Sequence, residues 1–563
     1  MLALSADSDA PRRILVAVAW PYANGSLHLG HIAGVYLPAD IFARYHRMRG
    51  DDVLMISGSD THGTPITVRA DKEQRAPEEI VAQFHPEFLR YWSELGISFD
   101  LFTSTETANH TEVTHDIFRK LMEHGYIYKA TTSQFYDPQA GRFLPDRYVE
   151  GTCPHCGYEN ARGDQCDNCG RTLDPDQLIN PRSTITGATP EPRDTEHFFF
   201  KLSAFQQPLL DWLRSKQGWR KHVLNFSIGF IEEGLHDRSI TRDLDWGVPL
   251  PVEDLGPGKR IYVWFEAVMG YLSASKEWAQ LSGDPEAWRR WWEDPEARAY
   301  YFMGKDNIPF HTIIWPAILM GYRGLDLPYD VPANQNVTFK GETASKSQNV
   351  GDSVLSYLER YQPDAIRYGL AANLPENSDT DLTEAEMIRR TNDELVATWG
   401  NLVNRVTTMS YRTFDGTVPE PGPLDERDEG LLERAAVMVY DVGSHIEAVH
   451  LKAGLQTAMA LAQEANAYLN ETEPWKTAKT DRERTATSLY VALCAINALK
   501  VALYPYLPFS SQTIHEQLGL SGRIEDGGWT ASRLQPGTAL NEPAPLFKKI
   551  DLPGVEGEAR LTA

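Results

Sequence analysis

Two histidines three residues apart, His28 and His31, close the run Pro21-Tyr22-Ala23-Asn24-Gly25-Ser26-Leu27-His28-Leu29-Gly30-His31, and the loop-like Ser345-Lys346-Ser347 follows far downstream. Histidines on a glycine-bearing turn, joined by a lysine on a polar loop, are groups that could hold the phosphates of a nucleoside triphosphate. Taken alone, His-x-x-His also suits a metal site or a turn whose rings satisfy one another. Cysteine offers a second chemistry. Cys153-Pro154-His155-Cys156 and Cys166-Asp167-Asn168-Cys169 are two Cys-x-x-Cys turns, each followed by glycine, Gly157 and Gly170. Four thiolates so spaced predict one tetrahedral zinc, with redox disulfides as the rival. A site closed by four sulfurs leaves no position for water, so the zinc is expected to be structural. His155 is expected to neighbour the metal without binding it.

These groups need elements to hold them. The continuous apolar run 14–19 predicts a parallel strand buried on both faces. After it, Pro21, Asn24 and Gly25 make a turn, and an apolar-periodic helix over 32–48 ends before Gly50. His28 and His31 therefore fall where a helix begins beside a sheet edge. A second strand, 52–57, runs into the polar loop Gly58-Ser59-Asp60-Thr61-His62-Gly63-Thr64-Pro65, at the strand end where doubly wound sheets collect ligands. Helices are expected over 80–95 and 112–124, and the sheet pattern resumes at 260–264 and 300–304. From about residue 384 the pattern turns helical. Leu432, Ala436, Val439, Val442, Ile446 and Val449 form one apolar stripe, and helices over 451–469 and 486–504 stop at Pro505 and Pro508. Cys494 falls in an apolar stretch and reads as core. The Pro- and Gly-rich tail from Arg533 is expected to pack loosely.

A chain of 563 residues implies three or four domains, and 42% hydrophobic residues suffice for their cores. The net charge of -24 does not exclude a nucleic-acid partner, because a basic track on one face is compatible with an acidic remainder. No run of about 18 apolar residues stands out, so no membrane span is expected. The first residues carry Asp7 and Asp9 and no apolar signal core. Five cysteines, four of them between 153 and 169, fit a reducing, cytoplasmic setting.

The run from Ala19 to His31 resembles the first signature of the methionyl-tRNA synthetases, class I aminoacyl-tRNA synthetases, where it is written HIGH; Leu29 replaces Ile. Ser345-Lys346-Ser347 resembles the end of the second signature, KMSKS, but Thr343 and Ala344 stand where its first Lys and Met would be, and one cation is lost. Thr241-Arg242-Asp243-Leu244-Asp245-Trp246-Gly247-Val248-Pro249 and Pro375-Glu376-Asn377-Ser378-Asp379-Thr380-Asp381 extend the resemblance over roughly 14–509.

The resemblance implies an α/β fold: a class I Rossmann-type parallel sheet split by a zinc-containing connective-peptide insertion, then an all-α anticodon-binding helical bundle. The implied divisions are 12–124 and 243–330 for the two Rossmann halves, 125–242 for the insertion, 331–394 for the Ser-Lys-Ser loop and stem-contact region, and 395–563 for the bundle and tail. It implies a methionine–tRNA ligase that uses ATP with Mg2+ to activate L-methionine and passes it to methionine tRNA. His28, His31 and Lys346 would act on the phosphates, with Gly30, Ser345 and Ser347 beside them. Ala19, Trp20, Tyr22, Asp60, Trp264, Ala267, Tyr271 and His311 would wall the methionine pocket. Trp20 and Val268 depart from the Leu and Pro common in the family. Cys153, Cys156, Cys166 and Cys169 would hold one zinc, and Asn401, Arg405 and Trp475 would meet the anticodon. A cytoplasmic monomer is expected. Two other readings stay open: a specialised paralogue, tolerant of inhibitors or activating a methionine analogue, and a catalytically weakened tRNA-binding protein.

Overall fold

The structure, a computed structural model, describes residues 10–256, 258–339, 342–343 and 353–551. Five parallel strands form its central sheet: β1 (Arg13–Val18), β2 (Asp52–Ser59), β3 (Leu101–Ser104), β4 (Arg298–Gly304) and β5 (Ala333–Asn334), in the order β5-β4-β1-β2-β3. The order reverses between β1 and β4, which opens a crevice at the carboxyl ends of both strands. Side chains alternate across the sheet. Ile14, Val16 and Val18 join a core that continues into the C-terminal helices, whereas Leu15 and Ala17 join a second core shared with the insertion. Covering on both faces explains why β1 reads as an unbroken apolar run.

Beyond β1 a helical stretch begins at Leu29, passes through a wider π turn at Ile32–Tyr36 and continues as Leu37–Arg49. It ends at Gly50, whose φ of 89° is left-handed. Between β3 and β4 lies the insertion. Ile127–Asp137 pairs antiparallel with Glu191–Phe200, and a small sheet of Val149–Thr152, Ala161–Arg162 and Ile179–Ser183 carries the cysteine turns. The run 260–264 does not resume the parallel sheet. Lys259–Ile261 pairs antiparallel with Thr241–Asp243, and Val263–Glu266 is a helical turn. A short aromatic run satisfies strand and buried-turn patterns equally, and here Tyr262 packs on Arg242 while Trp264 meets Tyr22 and Phe310.

The C-terminal helices include α1 (Asn401–Thr413), α2 (Glu426–Glu447), α3 (Leu451–Thr472) and α4 (Arg482–Leu503). Among the described residues α4 is the one helix long and apolar enough, by length and composition, to cross a membrane, and its apolar stretch is wholly buried in the bundle. On α2 the buried stripe runs through Leu431, Leu432, Ala435, Met438, Val439, Val442 and Ile446; Ala436 faces solvent, because the three-residue step from Leu432 is the inward one. Pro508 opens a further helix, Pro508–Gln517, instead of ending the helical region. The tail is anchored, not loose. Thr417 and Ala539 form a β-bridge, Leu540 and Phe547 are buried, and Asn392 and the Ile550 backbone exchange two hydrogen bonds of 2.8 Å.

Candidate functional site

His28 caps the helical stretch. Its Nδ1 accepts from the Gly30 N–H at 3.1 Å, and its own N–H donates to His31 Nδ1 at 3.3 Å. With both Nδ1 atoms accepting, each neutral ring carries its proton on Nε2. The ring centroids are 3.8 Å apart. Gly30 is required by space, since a Cβ there would come within 2.9 Å of the His28 ring. Ser345, Lys346 and Ser347 lie outside the described residues. Segments flanking them do touch the histidine turn: Ser353 bridges His28, the Val354 N–H donates to Leu27 O at 3.1 Å, and a Cβ at position 30 would stand 3.5 Å from Val337.

The residues expected to wall the methionine pocket gather around the exits of β1 and β2. The exits of β1 and β2 are zipped together: Asp60 N–H donates to Pro21 O and Ala23 N–H to Asp60 O, both at 2.9 Å. Asp60 is buried, and its Oδ1 has no hydrogen-bond partner among the described residues. Burial first, and then Glu266, raise its carboxyl well above the usual range. Tyr22 meets Trp264 edge-on at 5.9 Å, and Trp264 stacks on Phe310 at 3.9 Å. Ala267 follows on the same turn. Tyr271 is edge-on to Tyr301 at 5.2 Å and lies 2.6 Å, through its hydroxyl, from His311 Nε2. His311 Nδ1 donates to Asn307 O at 2.9 Å, so Nε2 accepts from the Tyr271 hydroxyl. Burial holds this imidazole neutral, down to about 4. Ala19 is buried at the end of β1, where its carbonyl accepts from the Tyr36 hydroxyl at 3.4 Å. The Trp20 indole fills a slot between Gly58 and Gly270, where a Cβ would come within 2.4 and 2.8 Å of it.

Reasoning from sequence missed the polar shell behind this pocket. Glu266, wholly buried, holds His62 and His110, and His62 also meets Glu106. Burial opposes the charge on His62, but Glu266 and Glu106 outweigh it and raise the imidazole to about 10. The signal available was an acid inside an aromatic run, Trp264-Phe265-Glu266-Ala267. Arg147 carries no sequence signal, and Arg242 stands in a run that the sequence shows only as part of the resemblance. Arg147 lies 5.7 Å from the Tyr22 ring and pairs with Asp164 at 2.8 Å; Arg242 lies 3.8 Å from the Tyr262 ring and pairs with Asp146 at 3.0 Å.

The sulfurs of Cys153, Cys156, Cys166 and Cys169 all lie within 4.8 Å of one another, with Cys153–Cys169 at 4.0 Å and Cys156–Cys166 at 3.6 Å. A tetrahedron of zinc–sulfur bonds of ~2.3 Å needs sulfurs ~3.8 Å apart, so this set could hold such an ion. Gly157 and Gly170, at φ of 75° and 70°, let the N–H after each turn reach back to the carbonyl of Cys153 and Cys166. His155 is exposed and outside the cluster. In the C-terminal helices, Asn401 and Arg405 sit one turn apart on α1, and the Arg405 guanidinium lies 5.0 Å from the ring of Trp475, which is 41% exposed.

A family model described as class I tRNA synthetases (M) matches residues 14–407, and one described as the anticodon binding domain of methionyl tRNA ligase matches 418–557. A methionine–tRNA ligase of a Roseiflexus species is 53% identical, covering 98% of this chain and 99% of that protein. One from Dehalococcoides mccartyi is 54% identical, covering 97% and 98%. Among solved structures, Mycobacterium tuberculosis methionyl-tRNA synthetase bound by methionyl-adenylate matches with a TM-score of 0.80 at 27% identity, covering 96% of this chain and 100% of that one.

Proposed function

The chain belongs to the methionine–tRNA ligases of the class I synthetase family, and from that premise we propose how its own residues divide the reaction. Methionine binds with its ammonium on Asp60 and its thioether among Trp264, Tyr22, Tyr271 and Ala267, beside Ala19 and Trp20. A soft, polarizable sulfur packs well on aromatic edges. The neutral His311 fixes the Tyr271 hydroxyl without placing a cation beside it. The observation that carries this assignment is the buried Asp60 oxygen without a hydrogen-bond partner among the described residues, next to an aromatic box.

ATP arrives with its Mg2+ as substrate. The methionine carboxylate oxygen attacks the α-phosphorus in line, the bond to the β-phosphate oxygen breaks, and pyrophosphate leaves. His28 and His31 donate through Nε2–H to the phosphate oxygens as charge develops, and Lys346, between Ser345 and Ser347, neutralises the leaving group. The terminal ribose hydroxyl of the tRNA then attacks the methionyl carbonyl, and AMP leaves. No protein nucleophile takes part.

Zinc would be held by Cys153, Cys156, Cys166 and Cys169 and would supply structure, not chemistry, because four sulfurs complete its shell. Asn401, Arg405 and Trp475 would receive splayed anticodon bases by stacking and edge contacts. The proposed divisions are 12–124 and 243–330 for the catalytic halves, 125–242 for the insertion, 331–394 for the loop region and 395–563 for the bundle. A cytoplasmic monomer is the proposed state.

The test is methionine-dependent exchange of pyrophosphate into ATP. Exchange is expected from the wild type, and Lys346→Ala should lower it at least 100-fold with methionine affinity nearly intact. Absence of exchange in the wild type at saturating methionine contradicts the assignment of the pocket; a silent Lys346→Ala contradicts the role of the loop. Thr343→Lys, which restores the missing cation, should raise the exchange rate.

A further inference from the structure

One wholly buried acid behind the pocket has no part in this scheme. Glu266 shows no solvent exposure, and both its oxygens are engaged: Oε1 by His62 Nδ1 at 2.8 Å and Oε2 by His110 Nε2 at 2.5 Å. His62 Nε2 lies 2.6 Å from Glu106 Oε1, and His110 Nδ1 lies 2.9 Å from Ser273 Oγ. A line of polar contacts thus runs from Glu106, at the edge of a cleft of about 310 Å³ shared with His85 and Trp246, inward to the helix Ala108–Glu123. Burying a carboxylate costs several kcal/mol unless its partners match it, and the two histidines do so here.

The placement of this acid is specific. It stands on the turn 264–267, between Trp264 and Ala267, while its partner His62 stands two residues after Asp60. The two segments also touch directly, since a Cβ on Gly63 would fall 2.6 Å from Val263. We propose that Glu266 is a positioning residue for the amino acid: through His62 it clamps the Asp60 loop to the Trp264 turn and balances the charge that surrounds the substrate ammonium. This inference rests on the reading of Asp60 and Trp264 as the methionine pocket.

Electrostatics agree with that geometry. His62 faces Glu266 from the turn, Glu106 from beyond β3 and Asp60 from its own loop, and it is held cationic to about 10 against the effect of burial. Glu266 faces His62 and His110, and although burial opposes its charge they keep it ionised, down to about 2. Asp60 is raised by burial and then by Glu266, while His62 and Arg147 pull the other way. Neutralising Glu266 therefore weakens one of the two contacts that hold the His62 cation and loosens the link between the Asp60 loop and the Trp264 turn.

The experiment compares the wild type with Glu266→Gln and Glu106→Gln in pyrophosphate exchange, varying methionine and ATP separately, and follows the His62 ring in nitrogen-labelled histidine spectra, identified by its loss in His62→Gln. Glu106 is half-exposed, so its variant is the safer one to fold. Glu266→Gln should raise the KM for methionine at least tenfold and that for ATP less than threefold, and His62 should lose its proton below pH 9, where the wild type keeps it. Glu106→Gln should do both more weakly, with a methionine KM raised about threefold. An unchanged methionine KM, an equal rise in both KM values, or a His62 titration that does not move would overturn the proposal. A wild type without methionine-dependent exchange would overturn the pocket reading instead.

Discussion

The pocket around Asp60 and the helical face around Trp475 use the same kinds of side chain, aromatic rings and charges, but they are built in opposite ways. In the pocket every ring is held from more than one side. Trp264 lies against Phe310 at 3.9 Å and Tyr22 at 5.9 Å, and the Tyr271 hydroxyl is fixed by an imidazole whose own proton is committed to a backbone carbonyl. On the face, Trp475 is 41% exposed, steadied chiefly by the Arg405 guanidinium 5.0 Å from its ring. A small ligand such as an amino acid gains from a site organised before it arrives. A single-stranded loop must splay its bases to be read, and an exposed ring can receive them without a cavity. Substitutions in the pocket should therefore act on binding, pH response and stability together, whereas substitutions on the face should act on tRNA alone.

The sharpest difference is expected at Asp60. On the proposed assignment Asp60→Asn would remove a charge-assisted contact to the ammonium in a buried setting, worth about 3 kcal/mol, and kcat/KM for methionine in exchange should fall about 100-fold. A loss of less than tenfold would place the ammonium elsewhere. Acid stability comes next. His311 stays neutral in the folded protein down to about 4, whereas an unfolded histidine protonates near 6.5. The unfolded chain therefore binds the extra proton as pH falls through that window, and stability present above 6.5 is lost toward 4. Urea titrations should show His311→Gln with a slope of stability against pH shallower by about 1.4 kcal/mol per unit there; equal slopes would mean that the ring is not buried neutral. No such pH signature is expected from substitutions on the face. The smallest effect belongs to the exposed region. Arg405→Lys keeps the charge but loses the planar contact with Trp475, which should weaken tRNA binding a few-fold, about 0.5–1 kcal/mol. Exchange should not change.

The two regions also differed in what could be read from the residues alone. The strand before the histidines and the helix they open were visible because an unbroken apolar run and a glycine-terminated periodic segment are local patterns. The cysteine turns were visible for the same reason, and their sulfurs do converge. What local pattern could not supply was the meeting of positions 62, 106, 110 and 266, which come from the loop after β2, the stretch after β3 and a turn beyond the insertion. The run 260–264 predicts a sheet strand from sequence because its aromatics fit a strand as well as a buried turn. The Pro and Gly content of the tail suggests loose packing and hides the buried Leu540 and Phe547. Asn401, Arg405 and Trp475 carried no signal beyond a polar helix face and a packing tryptophan until the family resemblance singled them out.

The separation of the two regions is tested most directly by measuring two rates on one preparation of Trp475→Ala, methionine-dependent pyrophosphate exchange and the charging of methionine tRNA. Loss of a base-stacking ring removes ~1–3 kcal/mol, so charging efficiency should fall roughly 5- to 150-fold while exchange stays within twofold of the wild type. If both rates fall together, or if charging is untouched, the helical face is not a separate recognition surface and the division of labour between buried pocket and exposed face is wrong.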